Sequence, residues 1–187
     1  MKIMTVFGSP RKLGNTAKVL GWVEDELRAM GHEVERLDLN DHPFKGCAEC
    51  YRCKEDPHTP HCAHTDEGND VFARLIQADG FILASPLFCW GYTAQLKAFV
   101  DRMFCLVTPM AGANFSLIEG KRAGMIITSA GPVESNADIM RIVFQRSMNY
   151  ARCENKCDLI VPGCFTPDAI GDEVEQHARD FARKLVR

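Results

Sequence analysis

Several features that define common protein classes are missing from this chain of 187 residues. No apolar run approaches the roughly 18 residues of a membrane span, and the apolar stretch near the start is too short for a signal peptide. The 22 Lys and Arg residues do not outnumber the 25 Asp and Glu residues, so the formal net charge of -3 gives no general attraction to nucleic acid. The sequence therefore predicts a cytoplasmic globular protein without nucleic-acid or membrane partners.

Cysteine, in contrast, is abundant. The chain has nine cysteines, and four of them are crowded together at Cys47, Cys50, Cys53 and Cys62. An odd number of cysteines in a chain without an export signal favours reduced thiols, metal ligands or redox chemistry over a disulfide framework. The crowded segment therefore needs an explanation of its own.

Short apolar runs alternate with helical patterns along the chain, except at residues 40–66 and 106–120. This alternation predicts a parallel sheet covered by helices on both faces. The five predicted strands are Lys2–Phe7, His32–Leu39, Gly80–Ser85, Ala123–Thr128 and Cys157–Gly163. We expect residues 1–187 to form a single domain with a Cys-rich insertion at about residues 40–66. In such a sheet, ligands bind beyond the carboxyl ends of the strands.

The loop after the first strand is suited to an anion. It lies between a strand and a helix, so backbone N–H groups at the helix N-terminus face whatever binds there. Its side chains add hydroxyl, amide and cationic groups suited to a phosphate monoester. The candidate phosphate-binding residues are Ser9, Arg11, Lys12, Gly14, Asn15 and Thr16. The loop matches neither GxGxxG nor GxxxxGK[ST], and a capped helix after a Gly-Pro turn is the alternative interpretation.

Two blocks resemble the NADPH-dependent FMN reductase family of the flavodoxin-like superfamily. The first is "GSPRKLGNTAKVL" and the second is "ADGFILASPLFCWGYTAQLKAFVDRM", with a weaker match at "TSAGP". The resemblance implies a doubly wound flavodoxin-like α/β fold whose five strands lie in the order 2-1-3-4-5. It also implies bound FMN, with NADH or NADPH as the electron donor.

The second block contributes an apolar, aromatic loop at the end of the third strand, where a flat ring could lie. In the family this loop meets the flavin ring, and the TSAGP loop lies on the other side. The implied ring-binding residues are Pro86, Leu87, Phe88, Trp90, Gly91, Ser129, Ala130 and Gly131. The alternative is that Phe88 and Trp90 are ordinary core residues. No catalytic side chain is predicted, since the flavin carries the chemistry.

The first three crowded cysteines have C-x2-C-x2-C spacing, and the fourth follows after eight residues. This segment resembles the iron-sulfur flavoprotein branch of the family, which implies a 4Fe-4S cluster held by Cys47, Cys50, Cys53 and Cys62. Three alternatives stay open, because the fourth cysteine follows later than is usual in that branch. Zinc would draw on these thiols and on His58, His61 or His64. Without metal, the thiols would pack a loop or would be oxidised to disulfides during aerobic handling. The branch also implies a homodimer or homotetramer.

The sequence thus supports three functional hypotheses. The first is an FMN-dependent oxidoreductase that moves electrons from NAD(P)H to a quinone, flavin, metal or other small acceptor. The second is an iron-sulfur flavoprotein that carries electrons between protein partners such as ferredoxin. The third is a metal- or redox-responsive binding protein in which the Cys segment presents a surface.

Overall fold

A computed structural model describes residues 1–42, 44–112, 114–166 and 169–187. The strands of the main sheet are β1 (Lys2–Phe7), β2 (Glu33–Asp38), β3 (Gly80–Pro86), β6 (Arg122–Thr128) and β7 (Glu154–Val161). They are parallel and lie in the order β2-β1-β3-β6-β7, which is 2-1-3-4-5 when only the strands of this sheet are counted. The predicted fold class and strand order are therefore confirmed.

Five α-helices connect the strands and cover both faces of the sheet. They are α1 (Asn15–Ala29), α2 (Gly68–Gln77), α3 (Ala94–Arg102), α4 (Ile139–Tyr150) and α5 (Asp172–Val186). A separate antiparallel pair is formed by β4 (Val107–Thr108) and β5 (Phe115–Ser116). In the described part of the chain, no helix has both the length and the apolar character needed to cross a membrane.

The buried strands explain the near-continuous apolar runs in the sequence. Successive strand side chains point to opposite faces, so both faces of a covered parallel strand must be apolar. In β1, Ile3 and Phe7 pack with α1 and α5 on one face, whereas Met4 and Val6 pack on the other face with α2 and α3. The sheet thus separates two hydrophobic cores.

Helix boundaries follow local chemistry. Gly31 has a φ of +83°, and its N–H donates to the carbonyl of Arg28, so this residue ends α1 in the left-handed conformation that glycine adopts at low cost. At the start of α3, the Thr93 hydroxyl accepts a hydrogen bond from the N–H of Leu96. The same hydroxyl donates to the carbonyl of Gly8 at 2.5 Å. This side chain therefore caps α3 and ties it to the end of β1.

Both predicted boundaries of the last strand were wrong. This strand spans Glu154–Val161 rather than Cys157–Gly163, because its ladder with β6 begins at Arg122 and continues past a register shift between Ala123 and Gly124. In the second family-like block, Tyr92 and Thr93 precede α3, which begins at Ala94 after the Thr93 cap. Within the predicted insertion, the described residues include a 3-10 turn at Arg52–Lys54.

Candidate functional site

A cavity of about 190 Å³ opens at the carboxyl edge of the sheet. Three loops meet there: the loop between β1 and α1, the loop after β3 and the loop after β6. Residues that follow β7 complete the wall. The lining residues are Ser9, Pro10, Arg11, Gly14, Asn15, Thr16, Pro86, Leu87, Phe88, Thr128, Ser129, Ala130, Cys164 and Thr166. The structure therefore brings together most of the residues that the sequence singles out.

The loop after β1 is shaped by its own hydrogen bonds. The N–H of Arg11 donates to Ser9 Oγ at 3.2 Å, and the N–H of Gly14 donates to the carbonyl of Arg11 at 3.1 Å. Gly14 is the N-cap residue of α1 and has no capping side chain. The first turn of a helix has N–H groups without intrahelical partners, and here that turn begins in the cavity wall. These groups form an electropositive end for the cavity.

Gly8 is required by close packing. A Cβ atom at this position would lie 2.6 Å from Leu96 Cβ, which belongs to α3. Such an approach is too short for two carbon atoms, so only glycine lets the end of β1 pass this close to α3. The start of the loop after β1 is thereby fixed against the helix that follows β3.

Two predicted phosphate ligands also hold the cavity walls together. Thr16 Oγ1 lies 2.7 Å from Thr128 Oγ1, which joins α1 to β6. One hydroxyl hydrogen serves this bond, so the other remains available to a ligand. Asn15 Nδ2 donates to the carbonyl of Thr166 at 2.6 Å, while Asn15 Oδ1 is buried and has no partner among the described residues.

The two cations of the loop are placed differently. Arg11 lines the cavity and is exposed. Lys12 is not among the lining residues; its Nζ lies 2.5 Å from Asp41 Oδ1, and this hydrogen bond raises the pKa of Lys12. The geometry therefore assigns the cavity's cationic side chain to Arg11 and directs Lys12 toward the acidic loop after β2.

The aromatic loop is a two-residue hairpin turn. The N–H of Phe88 donates to the carbonyl of Gly91 at 3.0 Å, and the N–H of Gly91 donates back at 2.9 Å. Cys89 and Trp90 between them have φ values of 46° and 55°. This is the pattern of a type I′ turn, which normally selects Asn and Gly. A turn built from Cys and Trp carries backbone strain, a feature that clusters at functional sites.

The turn presents its aromatic rings to solvent. Phe88 is 51% exposed and Trp90 is 65% exposed, so the interpretation of both as core residues was wrong. Phe88 lines the cavity together with Pro86 and Leu87, whereas Trp90 and Gly91 lie outside its lining. Three loop amides are used within the protein, because Leu87 N–H donates to Thr128 and the other two close the turn. At these positions the loop therefore offers a ligand a contact surface and no free N–H donor.

The loop after β6 is tied to the last residue of β7 and to the segment that follows it. The N–H of Ser129 donates to the carbonyl of Val161, and the N–H of Cys164 donates to the carbonyl of Ser129, both at 2.9 Å. Ser129 and Ala130 line the cavity, but Gly131 does not. Gly131 packs against Asn136 instead, since a Cβ there would lie 2.8 Å from Asn136 Nδ2.

Four lining residues were missed by sequence reasoning: Pro10, Thr128, Cys164 and Thr166. A signal existed for two of them. Thr128 is the last residue of β6, and Cys164 follows the end of β7, so the shared carboxyl edge of parallel strands places both near the site.

The crowded cysteines line a second cavity of about 300 Å³. Cys47 and Cys50 are exposed, Cys53 is buried and Cys62 is half-buried. A fifth thiol, Cys105, lines the same cavity and was not predicted. Among the described residues, no three or more Cys, His, Asp or Glu side chains are grouped so that they would hold a metal ion. The donor chemistry thus suits a thiophilic metal, but these side chains do not form a finished coordination shell.

Lys54 anchors the Cys segment to the rest of the molecule. Its Nζ donates to the carbonyls of Phe104 and Val107 and lies 3.7 Å from the centre of the Phe104 ring. Burial raises the pKa of the neighbouring Cys53 thiol, and Lys54 opposes that effect. The segment is therefore held against β4 and the 3-10 turn at Met103–Leu106 that follows α3.

Comparisons of this chain with known proteins agree with one another on its family. The model of the NADPH-dependent FMN reductase family matches residues 1–152. An iron-sulfur flavoprotein from Archaeoglobus fulgidus is 32% identical over 131 residues, which cover 70% of this chain and 56% of that protein. An FMN-dependent NADH:quinone oxidoreductase from Leptothrix cholodnii is 28% identical over 163 residues, which cover 79% and 78%.

A solved structure shares the fold. An FMN-dependent NADH-azoreductase from Bacillus anthracis, in complex with FMN, aligns with a TM-score of 0.75 at 14% sequence identity and covers 100% of both chains. This chain spans about half the length of the curated iron-sulfur flavoproteins that it matches.

Proposed function

Because the chain belongs to the NADPH-dependent FMN reductase family, we propose that it is an FMN-dependent oxidoreductase that passes electrons from NADH or NADPH to a small acceptor. The supporting observation is the cavity in which the loops after β1, β3 and β6 meet. One end of that cavity is a helix N-terminus, which is suited to an anion, and the other end is an exposed aromatic turn. FMN combines the two matching groups, a phosphate ester and a flat ring.

The phosphate would bind at the start of α1. The first-turn N–H groups of α1 and the Arg11 guanidinium supply positive charge, and the Thr16–Thr128 pair supplies one free hydroxyl hydrogen. Ser9 shapes the loop by accepting the Arg11 N–H. The unpartnered oxygen of Asn15 is an acceptor and would suit a hydroxyl group of the ligand rather than its phosphate.

The ring would lie outside the deepest part of the cavity. A volume of about 190 Å³ is less than the roughly 300–1,000 Å³ of pockets that enclose a whole ligand. The remainder of FMN would therefore rest on the open surface made by Leu87 and Phe88, with Ser129 and Ala130 on the opposite side. Such an open position leaves a ring face accessible to the nicotinamide and then to the acceptor.

Bound FMN would supply the electron transfer itself. The chain's own part is to bind and orient. The helix N-terminus and Arg11 would hold the phosphate, and residues 86–88 at the end of β3 would support one side of the ring. The Ser129 loop holds its shape through bonds to Val161 and Cys164. Positioning of this kind raises the effective concentration of the reacting groups.

The test of the reaction is anaerobic mixing of the FMN-loaded chain with NADH or NADPH. We expect the flavin absorption to bleach, and to return when a quinone or an azo compound is added. Bleaching by reduced ferredoxin, with no bleaching by either nicotinamide, would instead support the second hypothesis of a carrier between protein partners.

We further propose a metal centre in the thiol-lined cavity, with a 4Fe-4S cluster first and zinc as the alternative. Five thiols share this cavity, and the matched relatives include proteins named iron-sulfur flavoproteins. Iron, sulfide and zinc analysis of chain purified without oxygen distinguishes the two metals. Chain without any bound metal would favour thiols that only pack a loop, and sedimentation of the same sample tests the expected homodimer or homotetramer.

A further inference from the structure

A buried arginine lies in the wall of the thiol-lined cavity of about 300 Å³. Arg102, the last residue of α3, is 1% exposed and lines the cavity together with the buried thiols of Cys53 and Cys105. Cys47 and Cys50 in the same wall are exposed, so the cavity opens to solvent on their side. A buried charged group needs polar partners, and the surroundings of Arg102 therefore indicate what it binds.

The guanidinium of Arg102 is held in one position by its neighbours. Nη1 lies 2.6 Å from Asp66 Oδ2 in an ion pair. The central carbon of the group lies 5.1 Å from the ring centre of Phe44 and 5.9 Å from that of Phe72. Nη2 packs against Gly68 at the start of α2, where a Cβ atom would lie only 2.1 Å away. Glycine at this position therefore makes room for the guanidinium.

The edge of the guanidinium that remains unused is one that binds oxyanions well. Arg102 Nε and Nη2 are buried and have no hydrogen-bond partner among the described residues. These two nitrogens share one edge of the group, because Nη1 is the terminal nitrogen on the Cδ side. Their parallel N–H groups match the two oxygens of a carboxylate. Buried donors are nearly always satisfied, and the thiols of the cavity are only weak acceptors, so this edge indicates an oxygen ligand.

The charges around the cavity favour a ligand with a single negative charge. Asp66 already balances the charge of Arg102, and the lining also contains one exposed cation, Arg52, and one exposed carboxylate, Glu49. Net charge therefore does not attract an anion, and the free edge of Arg102 must provide the selectivity. A phosphate dianion would bring a second uncompensated charge into the interior, which is costly. A monocarboxylate avoids that cost.

Most of the remaining wall suits an apolar body. It is built from thiols, from the methyl groups of Ala48 and Ala63, and from the rings of Tyr51 and Phe104. The two rings meet edge to face with their centres 6.0 Å apart. The cavity volume lies at the lower end of the roughly 300–1,000 Å³ of pockets that bind small organic ligands.

We propose that the thiol-lined cavity is a binding site for a small monocarboxylate with an apolar body, whose two oxygens accept hydrogen bonds from Nε and Nη2 of Arg102. The site is formed by the chain without metal, so the inference does not rest on the metal centre proposed above. It is also separate from the FMN site, because the described linings of the two cavities have no residue in common.

Titration of the reduced, metal-free full chain with benzoate tests this site. The Nε–H groups of ¹⁵N-labelled arginine give separate nuclear magnetic resonance signals, and the Arg102 signal is identified by its loss in Arg102→Lys. We expect benzoate to shift this signal saturably, with one site per chain. Benzamide keeps the ring without the charge, and phosphate has charge without the ring. Each should shift the signal only at concentrations at least tenfold higher.

A double variant removes the edge without leaving an unpaired buried charge. Arg102→Gln combined with Asp66→Asn should weaken benzoate binding at least tenfold in calorimetry, because both charge-assisted hydrogen bonds are lost. Arg102→Lys keeps the charge without the planar edge and should fall between the double variant and the wild type. The matched control is Arg141→Gln with Asp158→Asn, which removes an exposed ion pair with a separation of 2.8 Å and should bind as the wild type does.

The outcomes separate this site from the flavin site. Benzoate affinity should be the same with and without saturating FMN, and competition between the two ligands would refute the proposal. An Arg102 signal that benzoate does not move, or equal binding of benzoate and benzamide, would also refute it and would leave water as the partner of the two nitrogens. If the Arg102 variants fail to fold, the titration of the wild type decides alone. None of these results decides whether FMN binds.

Discussion

At the scale of single residues, Arg11 and Lys12 show how adjacent cations take different roles. Both are exposed, but Arg11 lines the cavity while Lys12 pairs with Asp41. The sequence places both in an anion-binding loop, and its pattern does not distinguish them. The distinction depends on a carboxylate from the loop after β2, which is a contact between distant parts of the chain.

Alanine variants of Arg11 and Lys12 therefore form a matched pair, since each removes one positive charge from the same loop. We expect Arg11→Ala to weaken FMN binding about tenfold, since a charge-assisted contact to phosphate contributes roughly 1.5–3 kcal/mol when desolvated and less at an exposed site. Lys12→Ala removes the same formal charge one residue away and should change FMN affinity by less than about twofold. Calorimetric titration measures both. Equal losses in the two variants would mean that general charge, rather than a placed guanidinium, holds the phosphate.

The thiols also differ residue by residue. Burial raises the pKa values of Cys105, Cys153 and Cys157 to about 12, so at pH 8 only about one such thiol in 10⁴ is the reactive thiolate. Cys47, Cys50 and Cys89 are exposed. Iodoacetamide should therefore label these three in the folded, metal-free protein and leave the buried three unlabelled, as read by peptide mass spectrometry.

Denatured protein serves as the control, because all nine cysteines should then react at similar rates. Rapid native labelling of Cys153 or Cys157, which lie in the two hydrophobic cores, would show that those cores open far more often than the packing implies.

At the scale of elements, the sequence predicts the five sheet strands, because apolar runs in covered strands are nearly continuous. The predictions fail where contacts with distant elements set the boundary of an element. Pairing with β6 extends β7 back to Glu154, a charged residue that no apolar pattern would include. Thr166 enters the site only because the chain after β7 returns to Asn15 of α1. No local sequence pattern predicts this contact.

The hydrogen bond between the Thr16 and Thr128 hydroxyls joins α1 to β6, and a variant of Thr16 tests its contribution to stability. Thr16→Val keeps the shape but leaves the buried Thr128 hydroxyl without this partner, which should reduce the free energy of unfolding by about 1–3 kcal/mol. FMN affinity should also fall, because the Thr16 hydroxyl at the start of α1 is lost as a contact for the phosphate. Urea unfolding followed by circular dichroism measures the first effect.

Thr65→Val is the comparison, since Thr65 is exposed in the Cys segment and should stay within about 0.5 kcal/mol of the wild type. Undiminished stability in Thr16→Val would contradict a structural role for the bond between the two hydroxyls.

At the scale of the whole molecule, two carboxylates join distant parts of the chain. Hydrogen bonds from Arg179 and Arg183 of α5 hold the pKa of Glu26 in α1 below its ordinary range, against the effect of burial. Burial also acts against Asp66, but the Arg102 guanidinium and two backbone amides lower the pKa of that carboxyl as well. A lowered folded-state pKa gives stability that is present above the unfolded pKa and is lost as the pH falls through the folded value.

We therefore expect the free energy of unfolding to decline between about pH 5 and pH 3. Glu26→Gln and Asp66→Asn should each have a lower free energy of unfolding than the wild type at pH 7. That free energy should also decline less steeply as the pH falls, because each variant lacks the titrating carboxylate. Glu55→Gln, an exposed change in the Cys segment, should follow the wild-type curve. If the free energy of unfolding of both variants declined as steeply as that of the wild type, other groups would be responsible for acid unfolding.

The same unfolding curves bear on domain organisation. We propose that residues 1–187 fold as one domain with the Cys-rich insertion at about residues 40–66. Ion pairs that link α1 to α5 and the Cys segment to α3 favour a single transition. A separate early transition would indicate that the insertion unfolds independently.

The measurement that tests the central claim most directly is calorimetric titration of the flavin-free chain with FMN and, separately, with riboflavin. The two ligands share the ring and differ in the phosphate that the start of α1 would bind. The account predicts one FMN per chain, bound at least tenfold more tightly than riboflavin. No binding of FMN, or equal affinity for both ligands, would contradict it.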